Sequence, residues 1–345
     1  SHSMPPVDTC TAENTSPAGA GVVVIGRNEG NRLLDVLRQL QQQPRPVLYV
    51  DSGSTDGSAD NVQALGIPVW RLDPAKPFSA ARARNEGAQA LLQRHPNLAY
   101  LQFLDGDCFM APGWLDAAEA ALRADPQCAL VLGHQSEQHP QASVYNLLFA
   151  LEWRSASGPL TNFGHLIGNM MVRRSVFEAL GGFRPEVIAG EDSEFGVRVG
   201  LAGHGARKLD VPMALHDANV HRFSQWWMRA VRAGHAIGQR AQLHAAGPLR
   251  DCAKERRSTW LWGLLSLALL LVAPATKGLS LLLLLAGCLT LGWRIEKFRL
   301  SVGDDQREAR LYAAFNVLAK YANGLGLLKY HFNRMRGRVR IIEYK

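Results

Sequence analysis

Short apolar runs alternate with longer amphipathic stretches over the first 125 residues. AGVVVIGRNEG (20–30) is a continuous β-branched run closed by polar residues, the pattern of a strand buried on both faces. NRLLDVLRQLQQQ (31–43) then carries apolar residues at helical spacing. RPVLYVDSGSTDGSADNVQAL repeats the alternation, with a strand at 47–50, a loop of small polar residues and a helix from position 56 or so. IPVWRLD predicts a third strand, SAARARNEGAQALLQRH a long helix and LAYLQFLD a fourth strand. This order predicts an open α/β sheet with helices on both faces. Ligands of such sheets bind beyond the carboxyl ends of the strands. The polar clusters Arg27–Glu29, Asp51–Asp56 and Asp105–Asp107 fall at those ends.

The pattern from 112 to 240 is less regular. PGWLDAAEAALRAD predicts a helix and CALVLGHQ a strand, followed by a polar stretch at 155–168. GEDSEFGVRVGLAG predicts a helix that opens on two acids. ARKLDVPMALHDANVHRFSQWWMRAVRAGHAIGQRA then supplies a strand, a loop and a basic, aromatic helix.

At 259 the composition shifts. TWLWGLLSLALLLVA and GLSLLLLLAGCLTLGW are two apolar stretches separated by PATK. One helix over 259–293 would be roughly 52 Å long, too long for a hydrocarbon core of about 30 Å, and would bury Lys277. Two segments of about 16 residues, each roughly 24 Å, fit a hairpin with local bilayer thinning. Arg250, Lys254, Arg256 and Arg257 precede it, and Arg294, Lys297 and Arg299 follow it. Basic outer flanks place both ends on the cytoplasmic side of a cell inner membrane, with Pro274–Lys277 as the far turn. The competing reading is a buried hairpin, or one that enters a single leaflet. YAAFNVLAKYANGLGLLKYHFNRMRGRVR is a basic amphipathic segment suited to an anionic surface.

The formal charge is +8, with the basic residues concentrated beside these apolar helices. That distribution favours membrane lipids and phosphorylated small molecules over nucleic acid, which calls for a continuous stripe. Five scattered cysteines with no CxxC pair fit free thiols in a reducing compartment. The residues of the opening SHSMPP that lie ahead of Met4 read as a cloning remnant, and residues 1–19 as a flexible leader. The expected organisation is a catalytic domain at 20–245, a membrane hairpin with basic flanks at 246–300 and an amphipathic segment at 301–345.

QFLDGDCF (102–109) carries the most specific chemistry. On extended chain, residues i and i+2 point the same way, so Asp105 and Asp107 can face one cation. Mg2+ is held by one or two carboxylates plus substrate phosphates. Asp and Gly are also ordinary turn residues, so D-G-D alone leaves both readings open.

VVVIGRNEG, VLYVDSGSTDGS, ARARNEG, FLDGDC and GGFRPEVIAGEDSEFGVR occur in the order and spacing of glycosyltransferase family 2, which the chain resembles over most of its first 240 residues. The resemblance implies a GT-A fold, a Rossmann-like mixed sheet with helices on both faces. It further implies a nucleotide-sugar donor, UDP by family precedent, and an inverting transfer that depends on Mn2+ or Mg2+. Arg27, Asn28 and Glu29 are assigned to the nucleotide pocket, Asp51 to the base, and Ser54 and Asp56 more weakly to the same region. Arg84 would reach the nucleotide or its diphosphate, with Arg82 as its neighbour. Asp105 would lie nearer the ribose and Asp107 would bind the metal.

The resemblance puts the catalytic base on Asp192, with Glu191 beside it. At a helix N-terminus a carboxylate is stabilised ionised, so Asp192 needs burial or a nearby Glu191 to raise its pKa. His216, or else His221, is the expected additional metal ligand. Gly168 and Asn169 are assigned to the acceptor side, and Trp226 and Trp227 either close over that side or pack at the membrane boundary. The expected acceptor is lipid-linked or a saccharide. Two rivals remain: a non-catalytic nucleotide-sugar-binding membrane protein, which needs no base, and a membrane scaffold, which does not explain polar clusters at three strand ends.

Overall fold

The computed structural model describes residues 18–338 and 340–343; most of the expected leader, with Cys10, lies outside them. The first half follows the predicted alternation: β1 (Ala18–Gly26), α1 (Gly30–Gln41), β2 (Val47–Asp51), α2 (Ser58–Ala64), β3 (Val69–Arg71), α3 (Ala80–Arg94) and β4 (Leu98–Asp105). In α1 the residues Leu33, Val36, Leu37 and Leu40 form one buried stripe against the sheet. Ser79 caps α3, accepting a hydrogen bond from the Arg82 amide at 3.0 Å.

β5 (Cys108–Met110), α4 (Trp114–Ala124), β6 (Cys128–Glu137), α5 (Val144–Glu152), β7 (Gly158–Pro159), β8 (Met170–Arg173), α6 (Arg174–Ala179), α7 (Glu191–Leu201) and β9 (Gly205–His216) complete the α/β part. The sheet order is β3-β2-β1-β4-β8-β6-β9-β5, with β7 on β9. β3, β2, β1 and β4 run parallel, β8 is antiparallel to both β4 and β6, and β6 is parallel to β9. The sheet is therefore mixed, as expected. Its core is continuous, from Val22–Val24 in β1 to Met213 in β9, and includes Met170 and Met171.

α8 (Phe223–His244) leads to α9 (Ala253–Leu271), α10 (Leu279–Ser301) and α11 (Gln306–Met335). α9 and α10 form the predicted hairpin about a turn at 272–278, but both are longer than 16 residues. Their basic flanks, Lys254–Arg257 and Arg294–Arg299, are themselves helical, so the 23 residues of α10 reach about 34 Å. α10 alone among the described helices is both long and apolar enough to cross a bilayer, and almost none of its apolar window is buried in the protein.

One expectation is corrected. α11 does not lie free on a surface: Ala309, Ala313, Ala322, Gly326, Leu327 and Tyr330 are buried, and a Cβ on Gly326 would fall 1.9 Å from the Val231 carbonyl of α8. Small residues at one side of α11 let the two helices approach closely, which a sequence period does not distinguish from a lipid-facing side. Leu325, Leu328 and Phe332 remain exposed.

Candidate active site

Strand register brings the three polar clusters together. Gly26 of β1 pairs with Asp51 of β2, and Ile25 pairs with Asp105 of β4, so their carboxyl ends are neighbours on one edge. A cleft of about 1570 Å³ opens there. It runs from Arg27 and Phe78, past Asp105 and Asp107, to Glu191 and Asp192, and on to Leu249–Glu255 at the root of α9.

Asp107 and His216 lie on facing chain segments, β5 pairing Cys108 with His216. His216 Nε2 is 3.5 Å from Asp107 Oδ2, and its Nδ1 is hydrogen-bonded to Glu137. Glu137, paired with His216 across β6 and β9, accepts further hydrogen bonds from Trp153 Nε1 at 2.9 Å and the Ala218 amide at 3.0 Å. Burial disfavours a charged imidazole, but Asp107 and Glu137 outweigh it and push His216 up to about 10. The pocket is thus built to hold positive charge. An oxygen from Asp107 and the nitrogen of a histidine oriented by a buried carboxylate fit a divalent cation. Cys108 is the third donor within 4.8 Å of this group. Burial and then the neighbouring aspartates hold its thiol well above its usual range, and thiols suit Mn2+ or Mg2+ poorly. His221 is exposed and bonds Asn219 at 2.9 Å, so geometry favours His216 as the candidate ligand.

Arg84 lies between two carboxylates: Nη1 donates to Glu191 at 2.5 Å and Nη2 to Asp105 at 2.8 Å. Its expected reach towards a diphosphate is therefore revised. The guanidinium is buried and joins β4 to the start of α7, and only Nε lacks a hydrogen-bond partner among the described residues. Gly168 lines the cleft because it must be small: a Cβ there would stand 2.1 Å from Arg84 Nη2. Asn169, expected on the acceptor side, instead turns inward. It accepts from the Asp105 amide at 2.8 Å and donates to Gln135 Oε1 at 2.7 Å, clamping the D-G-D turn.

Glu191 and Asp192 open α7 after Gly190. Asp192 is half-buried on the cleft wall. Burial first, and Glu191 second, push its carboxyl up to about 6, while Arg84 opposes the rise. Both conditions set by the sequence reading are met. Glu194 is structural, as Arg184, Arg198 and His244 enclose its side chain.

At the other end, Arg27, Asn28 and Glu29 line the cleft. Asn28 also ties two loops, accepting from the Thr55 amide at 2.7 Å while its own amide donates to Ser54 Oγ at 2.9 Å. Asp51 is buried and accepts from Tyr49 Oη at 2.9 Å, the Ser54 amide at 2.8 Å and Ser54 Oγ at 2.5 Å. Ser52, not Asp51 or Ser54, contributes to the lining. Trp226 and Trp227 are not part of it either: they pack with Phe223, and Trp226 packs edge-on to Phe315 of α11 at 4.9 Å. The acceptor-side assignment of these two is corrected to packing between α8 and α11. Arg229, one turn on, does reach the cleft, stacked 4.1 Å over Phe149 and paired with Glu152.

Glu137 was not anticipated. Its signal was present at the end of β6, where Gln135 and Glu137 share one strand face.

A mixed sheet of this topology with acidic groups at its carboxyl edge defines a GT-A-type protein. Residues 21–181 match the family model described as "Glycosyl transferase family 2". No curated protein sequence matches the chain. The crystal structure of S. aureus TarS 1–349 is similar at a TM-score of 0.50 and 15% identity, covering 93% of this chain and 92% of that one. The same protein in complex with UDP gives 0.47 at 15%, with coverage of 93% and 92%. Glucosyl-3-phosphoglycerate synthase from Mycobacterium tuberculosis, in complex with Mn2+, UDP and phosphoglyceric acid, gives 0.48 at 17%, covering 68% and 81%. At 15% identity the likeness to TarS 1–349 concerns the fold alone.

Proposed function

We propose that the chain transfers a sugar from a nucleotide-sugar donor, UDP-linked by family precedent, to a hydroxyl of an acceptor presented at a membrane surface, with inversion at the anomeric carbon. The observation that carries this reading is that Arg27–Glu29, Asp107 with His216, and Asp192 all line one cleft.

The nucleotide would lie over the ends of β1 and β2, with its diphosphate directed to Asp107 and His216. Asp107 and His216 would hold a divalent cation, which would neutralise the charge that develops on the departing diphosphate. Glu137 fixes the tautomer and orientation of His216. Asp192 receives the proton of the acceptor hydroxyl as its oxygen forms the new bond to the anomeric carbon and the diphosphate leaves from the opposite face. A carboxyl held near 6 is well matched to this exchange at neutral pH. Glu191, occupied by Arg84, positions Asp192 and raises its pKa without touching the acceptor.

The continuation of the cleft to Leu249–Glu255, where α9 begins, supports a lipid-linked or saccharide acceptor at the bilayer. Leu264, Leu267 and Leu271 of α9 and Leu282, Leu283 and Leu289 of α10 are exposed, a surface suited to acyl chains. Basic outer flanks favour the cytoplasmic face of an inner membrane. The test is to incubate membranes carrying the protein with a panel of nucleotide sugars and Mn2+ or Mg2+. Release of one nucleotide diphosphate is expected, and its loss in Asp192→Asn. Release by none, or undiminished function after that substitution, would contradict the enzymatic reading.

A further inference from the structure

The segment that follows α11 turns back into the cleft. Gly337, at φ +62°, ends the helix with the Arg338 amide bonded to the Asn333 carbonyl at 3.0 Å, a left-handed stop that redirects the chain. Ile341, Ile342 and Glu343 then line the same cavity as Arg27, Asn28 and Phe78. Ile342 is only 2% exposed, so the segment is seated there and does not merely pass by. Glu343 pairs with Arg27 at 2.5 Å, and the Arg27 guanidinium stands 5.9 Å from the Phe78 ring.

We propose that residues 340–343 form an intramolecular strap that occupies the nucleotide end of the cleft, its Glu343 carboxylate standing where an anionic group of the donor would meet Arg27. The inference rests on the donor reading given above. Carboxylate and phosphate present the same kind of oxygen pair to a guanidinium, so the two compete for one partner. The pair itself is exposed and weak, so a ligand with more charge and an aromatic base can displace it. Apparent affinity falls in proportion to the fraction of molecules with the site open, and a strap seated nine-tenths of the time weakens donor binding roughly tenfold. Because α11 packs on α8 and the hairpin, whatever shifts those helices also shifts the strap's anchor.

The test measures binding of UDP, GDP and dTDP, each with Mn2+, by calorimetry to three forms in detergent: the full chain, a chain ending at Arg338, and Glu343→Gln. Tighter binding by about tenfold is expected in the shortened chain, with a smaller gain in the same direction for Glu343→Gln, which leaves the fold intact. Hydrogen exchange at 340–343 in the full chain should rise when the bound nucleotide is added. Unchanged or weaker binding in both variants overturns the strap while leaving the donor site standing. If no form binds any of the three nucleotides, the donor reading and the strap fall together.

Discussion

His216 Nε2 stands 3.5 Å from Asp107 Oδ2, held there by Glu137 on the far side of the ring. The buried trio favours the cation reading of D-G-D over the surface turn, because a surface turn has no need of a histidine backed by a carboxylate. Glu137→Gln should therefore weaken Mn2+ binding by about 10–100-fold while leaving the fold unchanged, and Asp107→Asn should weaken it further. Mn2+ titration followed by electron paramagnetic resonance checks this. Equal affinity in all three proteins would remove Asp107 and His216 as ligands.

Asp192→Asn should lower kcat by about 10²–10⁴ with nucleotide affinity little changed, since the base acts only as the acceptor hydroxyl is attacked. A loss expressed in nucleotide affinity instead would make Asp192 a binding residue.

The pH dependence follows from the same carboxyl. Asp192 must be ionised to accept a proton, so kcat should fall as pH drops below about 6. Stability runs the other way. The folded-state pKa lies above the ordinary value of 3.8, so the folded chain binds more protons between about 4 and 6. Ionisation of Asp192 therefore costs stability above pH 6. Asp192→Asn should raise the unfolding midpoint at pH 7–8, and that advantage should shrink towards pH 4. Thermal unfolding across pH measures it.

Arg84→Met should destabilise the protein by about 3–5 kcal/mol, because Glu191 would stay buried without its cation. Gly168→Ala should impair the site with a smaller loss of stability, by pushing the guanidinium away from Asp105. Chemical denaturation and turnover separate the two effects.

The hairpin should hold the protein to membranes through high salt and carbonate washes. Lysine at Leu267, Leu271, Leu282 and Leu289 together should release a folded protein, because these side chains are exposed. Release of the native protein by salt alone would indicate surface attachment.

Much of this architecture was legible because it is local. Unbroken apolar runs mark β1, β2 and β4, and each ends in polar residues, so the location of a site at their shared edge followed from the alternation alone. Acids at the start of α7 are visible in the same way. What stayed hidden depends on which distant segments pair. Glu137 matters because β6 lies beside β9, bringing it to a histidine 79 positions on. Asn169 faces the D-G-D turn because β8 inserts antiparallel beside β4. Trp226 looks like a site aromatic until α11 supplies Phe315. Nor does the pattern of 301–345 disclose that one side of it is covered by α8.

The central claim is that one sugar diphosphate lies between Asp107 with His216 on one side and Asp192 on the other. A structure of the Asp192→Asn protein with Mn2+ and the nucleotide sugar that it turns over measures this directly. The account predicts diphosphate oxygens and the ion beside Asp107 and His216, with the open face of the anomeric carbon turned towards residue 192. A donor bound outside this cleft, or a sugar whose open face points away from residue 192, would contradict it.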